Sequence, residues 1–325
     1  MTPAQLSRTV LHAVRRAAED GELGAVRTST GLPQRVTVES SPRRGPGDYA
    51  VSVAFRLAGP SGMTPYDVAC VLRARLLRED GVRAVEIAGG GFLNVTLDGR
   101  ARADLVAELA RPSHRRSHQP SHRRSHRPLH REPETHLAPD PETDPEPDPG
   151  PGTEVTDTPA VDIARWSAVT GEAPAALTVR TAEASTLFRV QYAHARACAL
   201  VRNAHDLGFG SEPHAAHEAH EPHEAHEPHE VHAAHEAHAT DGGALLSLLA
   251  DHRRVSEESA PAQHARHLVA VGDAFFDFHD QCPPLPSGDE KPGAAHRARL
   301  ALVEATGTVL AGGLNQLGVS APAHL

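Results

Sequence analysis

Apolar residues recur along this chain with two periods, and the change of period marks its parts. At the N-terminal end Leu6, Val10, Ala13, Val14 and Ala17 fall at steps near 3.6, which predicts a helix over 3–19. Val36 and Val38 alternate with polar neighbours, the pattern of a strand over 35–40. Pro42 to Gly47 read as a breaker-rich loop, and a second helix is expected over Asp48–Ala58. Thr64-Pro65-Tyr66-Asp67 is a helix start. Thr64 caps, Pro65 takes the first helical position, where its missing N–H costs nothing, and Asp67 closes a capping box. That helix is expected to reach about Glu79. Residues 82–88 and 92–97 read as two strands joined by Gly89-Gly90-Gly91. These elements make a small α/β sandwich domain over 1–110.

Beyond residue 158 the period is helical throughout. Val190, Ala193, Ala197, Leu200 and Ala204 are separated by steps of three and four. Leu268, Val271, Phe275, Phe278 and Cys282 repeat the pattern. So do Leu300, Val303, Gly307, Leu310, Leu314 and Leu317. Three long helices with one apolar stripe each, and shorter ones near 161–169 and 244–252, predict an all-α helix bundle over 158–325. The fold class expected is therefore α+β. Aromatics are only 3% of the chain, so both cores must be built of small aliphatic side chains.

Between the two domains the pattern dissolves. His114, His118, His122, His126 and His130 recur every four residues among arginines, and a tract of alternating proline and acid follows. Proline at every second or third position denies helix and strand alike, so 111–157 is expected to be a disordered linker with a span of roughly 40 Å. Residues 111–131 hold seven arginines and no acid, whereas 132–157 hold nine acids and no Arg or Lys. A second biased tract, 212–241, holds seven Glu and Asp241 among its histidines. The formal charge of −10 thus resides in the tracts, and the remainder is neutral. Charge alone gives no argument for nucleic-acid binding, and no DNA partner is expected.

Three cysteines, Cys70, Cys198 and Cys282, are odd in number and widely spaced. They suit a reducing, cytoplasmic setting without structural disulfides, and Cys198 and Cys282 read as small buried hydrophobes. No stretch of about 18 apolar residues occurs, so no membrane span is expected. In the second tract His214, His217, His220, His223, His226, His229, His232, His235 and His238 recur every third residue. Pairs at this spacing can chelate Zn²⁺, Ni²⁺ or Cu²⁺ weakly, and near pH 6 the tract would gain charge. The competing reading is an inert spacer between two helices. No other cofactor is expected.

Several motifs together carry a family resemblance. Asp162-Ile163-Ala164-Arg165 resembles the Asp-Ala-Leu-Arg signature of the anticodon-binding domain of arginyl-tRNA synthetases. Gln191-Tyr192-Ala193-His194-Ala195-Arg196 resembles that domain's first long helix, and Leu285-Pro286-Ser287-Gly288-Asp289-Glu290 and Gly318-Val319-Ser320-Ala321-Pro322 resemble its closing segments. Residues 46–97 are similar to the small N-terminal domain of the same enzymes. The resemblance implies tRNA as partner, an arginine tRNA in the family's own case. The bundle would grip the anticodon stem-loop and the N-terminal domain the outer corner of the tRNA. It points to Phe92 as a stacking residue, Asn94 as a reader of a base edge, and Arg189, Tyr192, Arg196 and His279 as tRNA contacts. The family usually has Pro where Gly90 stands, Tyr where His279 stands and Met where Leu325 stands. An aromatic lost beside the anticodon puts base specificity in question.

Each of these positions has a plainer reading. Tyr192 and Phe278 lie on or beside apolar stripes, as core residues would. Arg189 and Arg196, seven apart, share one helix face that could be merely solvated; Asp162 and Arg165 could be a simple helix pair. The chain shows no His-x-Gly-His, no KMSKS-like lysine loop and no phosphate-binding glycine loop. The expected function is a non-catalytic tRNA-binding protein. The alternatives are an adaptor that docks a full-length synthetase or another protein, a metal-responsive adaptor working through the His tract, and arginine–tRNA ligation with a catalytic partner in trans.

Overall fold

The computed structural model describes residues 1–26, 32–40, 47–111, 158–215 and 242–325. The linker expected after Arg111 lies outside the described residues. The N-terminal module is a four-stranded antiparallel sheet with strand order β1-β2-β4-β3: β1 is Val38–Glu39, β2 Tyr49–Val51, β3 Val82–Ala88 and β4 Phe92–Leu97. Helices α1 (Pro3–Glu19), α2 (Val53–Ser61) and α3 (Pro65–Leu76) pack on it. Leu93, Val95 and Leu97 of β4 alternate inward and meet Val10, Leu57, Val68 and Leu72 in one apolar core. Thr2 and Gln5 form a reciprocal capping box at α1. At α3 the Asp67 N–H donates to Thr64 Oγ1 at 3.1 Å, while the Thr64 hydroxyl donates to the Asp67 carboxylate at 2.6 Å.

The helix expected over Asp48–Ala58 is corrected by the structure. Tyr49, Ala50 and Val51 pair with Val95, Asn94 and Leu93, and the helix begins only at Val53. The apolar run suits either state locally, and the open edge of β4 decides for the strand. The strand expected over 35–40 shortens to two residues. Gly90 sits at φ +81°, a backbone shape that glycine adopts freely and that is closed to proline.

Two helices escaped the sequence reading, α4 (Gly99–Leu109) and a short helix at Pro174–Leu177 in the bundle. α4 starts at Asp98, whose Oδ1 accepts the Ala101 N–H at 2.7 Å. Among the described residues six helices form the bundle: α5 (Pro159–Thr170), α6 (Pro174–Leu177), α7 (Thr186–Asp206), α8 (Gly243–Glu258), α9 (Pro261–Gln281) and α10 (Ala294–Gln316). α4 packs on α10 and α8, so that the N-terminal module and the bundle share one continuous core. Its Leu105 and Val106 are buried, and Thr308 of α10 donates to the Ala110 carbonyl at 3.2 Å. His214 lies 3.4 Å from Asp104 of α4.

The chain end is tied down by side chains of α5 and α7. Asp162 is 1% exposed, and its carboxylate accepts the backbone N–H of Ser320 at 3.0 Å, the Ser320 hydroxyl, and the Gln191 amide at 3.1 Å. Arg165 donates to the Gly318 carbonyl. Gln191 also donates to the Ser320 carbonyl at 3.1 Å, and His194 Nδ1 reaches the Pro322 carbonyl at 3.0 Å. The two signature residues thus grip residues 318–320 and do not pair with each other.

Three imidazoles meet where α8, α9 and α10 converge. His252 lies 5.4 Å from His264 and 5.6 Å from His267, ring centre to ring centre. Nδ1 of His252 and Nε2 of His264 and His267 are buried without a hydrogen-bond partner. Gly313 lets α10 come this close: a Cβ there would lie 3.0 Å from the His252 ring and 2.4 Å from Leu268. Burial holds all three rings neutral, pushing His252 down to about 3 and His267 to about 4, with the neighbouring imidazoles adding to the shift of His252; His264 is lowered by burial as well.

Two expectations follow from these packing features. An unfolded histidine takes up a proton near 6.5, whereas in the fold His252 is pushed down to about 3 and His267 to about 4. Their contribution to stability is whole above about 6.5 and is lost as pH falls toward 4, at up to about 1.4 kcal/mol per pH unit for each ring. Denaturant unfolding between pH 7 and 5 checks this, and His252→Phe should flatten the slope by about one ring's share. Asp162→Ala strands the Ser320 N–H and hydroxyl and the Gln191 amide, and should cost about 2–4 kcal/mol. Amide hydrogen exchange should then speed up over 318–322 before it does in α7 or α10.

Candidate nucleic-acid interface

Residues four apart on a helix stand one above the other, and on α7 this brings Phe188, Tyr192 and Arg196 into one column. Phe188 and Tyr192 stack with ring centres 5.7 Å apart and planes 7° from parallel. Phe276 of α9 continues the stack at 5.6 Å from Tyr192. Tyr192 is 41% exposed, so the middle of this aromatic strip faces solvent. Phe278, which shares the ambiguity of Tyr192 in the sequence, is buried against Gly242. A large aromatic flanked by near-parallel rings yet open to water leaves ring surface that a flat π-system can meet.

Cationic side chains border the strip. Arg196 donates from Nη2 to His279 Nε2 at 3.3 Å, and the other ring nitrogen of His279 faces Asp280 at 3.3 Å. One tautomer, protonated at Nδ1, satisfies both contacts. His279 also lies 6.2 Å from Phe275, ring centre to ring centre. Farther along α7, Arg202 donates to the Ala323 carbonyl at 3.3 Å and lies beside His324. The structure therefore brings Tyr192, Arg196 and His279 together. Arg189 is set apart, since its Nε donates to the Ala182 carbonyl at 2.6 Å and its guanidinium pairs with Asp273 at 3.2 Å. It ties α7 to α9.

Beside the strip, between α5, α6, α7 and the tail, lies a cavity of about 390 Å³. Ile163, Leu177, Leu187 and Phe188 give it apolar walls, and Gln191 and Ser320 give it polar ones. Phe188 serves both features: it walls the cavity and stacks on Tyr192.

In the N-terminal module Phe92 opens β4 and packs on Phe55 at 4.9 Å; Phe55 is 40% and Tyr66 54% exposed. Asn94 is only 1% exposed, held between Ala50 and Glu86 in the centre of the sheet. The expectation that it reads a base edge is therefore corrected: its side chain is buried on the face of β4 opposite Leu93 and Val95, close under Gly47. Sequence reasoning missed Phe188, Phe276, Arg202 and His324. For Phe188 a signal existed, since it precedes Tyr192 by one helical turn. For the others none did, because α9 and the tail meet α7 only in the folded chain.

Other chemistry is sparse. Cys198 lies 3.5 Å from His194 Nε2, but burial raises the thiol and lowers the imidazole, so both stay neutral and the pair lacks an activated nucleophile. Of the nine histidines of the expected metal tract, His214 pairs with Asp104, and His217 to His238 lie outside the described residues. Among the described residues no three of His, Cys, Asp or Glu are placed to hold a metal ion. No described helix is long and apolar enough to cross a membrane.

Comparison with known proteins recognises two domains along the chain. The family model for the arginyl tRNA synthetase N-terminal domain matches residues 5–97, and that for the DALR anticodon-binding domain matches 190–325. An arginine–tRNA ligase of Kineococcus radiotolerans is 44% identical over 119 residues, 36% of this chain and 21% of that protein. Those of Renibacterium salmoninarum and Frankia alni are 42% and 40% identical over 34% and 36% of this chain, and 20% of each relative is matched. The chain thus spans about a fifth of the length of these curated relatives. Thermus thermophilus arginyl-tRNA synthetase shares the fold with a TM-score of 0.54 at 13% identity, over 100% of both chains. With its N-terminal and DALR anticodon-binding domains both recognised, this chain belongs to the arginyl-tRNA synthetase family.

Proposed function

We propose that this chain is a non-catalytic tRNA-binding protein whose bundle holds an anticodon loop. The observation that carries the reading is the exposed strip Phe188–Tyr192–Phe276 with Arg196 and His279 at its border, on a domain of the anticodon-binding family. Unpaired loop bases stack on such rings, and the guanidinium groups suit the backbone that carries them. Arginine tRNA is the first candidate, since the relatives are arginine–tRNA ligases. The non-catalytic part rests on the sequence: residues 98–189, between the two family matches, contain no adenylate-forming signature. Phe55 and Phe92 of the N-terminal module offer a second aromatic surface for the same RNA.

Filter binding of total tRNA by the full chain tests the reading. Retention is expected at low salt, with a fall toward about 0.5 M salt as counterion release weakens binding. Tyr192→Ala should weaken binding by about 1–3 kcal/mol, the worth of one stacked base. Arginine-dependent ATP–pyrophosphate exchange should stay at background. Retention no better than that of a control protein, or exchange activity in the purified chain, would overturn the proposal.

A further inference from the structure

Imidazole is the side chain that gains and loses a proton near neutral pH, and one imidazole borders the aromatic strip. His279 lies in the last turn of α9, and its side chain is 24% exposed, within reach of a ligand. Arg196 donates from Nη2 to its Nε2 at 3.3 Å, and its Nδ1 faces the Asp280 carboxylate at 3.3 Å. A guanidinium has donors only, so Nε2 must offer its lone pair and carries no proton in this contact. A protonated Nε2 would set one N–H against another. Two features pull the other way, since Asp280 and the carbonyl end of α9 both favour a positive ring. Among the described residues the charged groups that contact the ring are Arg196 from α7 and Asp280 from α9 itself, with none from α5, α8 or α10. Arg196 in turn has no carboxylate partner among the described residues, unlike Arg189 on the same helix, which pairs with Asp273.

An RNA phosphate changes this balance. Arg196 stands one helical turn from Tyr192, so the backbone of a base laid on that ring passes beside its guanidinium. A phosphate drawn there supplies the anion that Arg196 lacks and takes the Nη2 hydrogen away from His279. Nε2 is then free to bind a proton and to donate it to the same phosphate as a second, charge-assisted hydrogen bond. We propose that Arg196 and His279 form a proton-linked site for one RNA phosphate, in which the ring takes up a proton from solvent as the phosphate arrives. This deepens the tRNA-binding reading above and rests on it. Linkage fixes the sign. The complex holds one proton more than its separate parts, so affinity rises as pH falls from 8 to 6.

The test uses the full chain and the anticodon hairpin of whichever tRNA filter binding retains most. Titration calorimetry at pH 7, in buffers of different ionisation enthalpy, counts the protons taken up on binding. His279→Gln and His279→Tyr remove the titrating ring, and each should lower that count by on the order of half a proton. Wild-type affinity should tighten about threefold to tenfold between pH 8 and 6, and both variants should lose most of that gain. The chain has 24 histidines, so the difference between wild type and variant reads this ring, and the wild-type slope alone does not. Melting matched to wild type identifies a folded variant, and two replacements of different shape guard against a packing defect. If the wild type binds but a folded variant keeps its proton count and pH dependence, the proton-linked site is refuted and the tRNA reading stands. If no tRNA or hairpin is bound at any pH, both fall.

Discussion

A buried carboxylate with hydrogen bonds to both neighbouring segments organises the functional end of this protein. Asp162 is almost wholly out of water, where an unsatisfied charge would be costly, and its acceptors are filled by Ser320 and Gln191. Those bonds join the first helix of the bundle to α7 and to the chain end. Arg165, one turn on, takes the Gly318 carbonyl where α10 finishes. The tail therefore lies along α7, and everything argued about the interface needs it there: the cavity wall, the Pro322 carbonyl that orients His194, and the Ala323 carbonyl that engages Arg202.

A second constraint is the docking of the two modules. α4 closes the N-terminal domain and at the same time covers α8 and α10. Behind that contact, the bundle accepts three buried imidazoles with unmet nitrogens. Neutral imidazole is less costly to bury there than a charged ring, because burial penalises the charged form most. The same junction explains why α10 carries glycine at position 313, where any side chain would meet Leu268 and His252.

The interface itself follows from helix geometry acting on few aromatics. With 3% aromatic residues the chain has little ring surface to spend, yet three rings form one partly open stack. Arginine supplies the cationic border, and the one lysine, Lys291, is elsewhere. Arg189 and Arg196 show how a shared helix face divides on folding. The first is consumed by Ala182 and Asp273, and the second contacts the His279 ring at the border of the strip.

What the residues alone determined was the set of long periodic elements. α1, α3, α7, α9 and α10 and the strands β3 and β4 follow directly from spacing, because an apolar stripe of the right period has one economical way to be buried. The family resemblance was legible for a related reason: DIAR, QYAHAR and GVSAP stand far apart in sequence but are the segments that must meet. Only the tertiary structure decided the remainder. Tyr49–Val51 became a strand because the edge of β4 away from β3 was open, and α4 became visible as an element through what it covers. Asn94 went inside and Tyr192 outside, a choice that depends on neighbours brought in from 44 residues away (Ala50) and 84 residues away (Phe276). Local patterns state which side chains must be hidden together; whether a given polar or aromatic residue at the margin is hidden depends on which distant element arrives beside it.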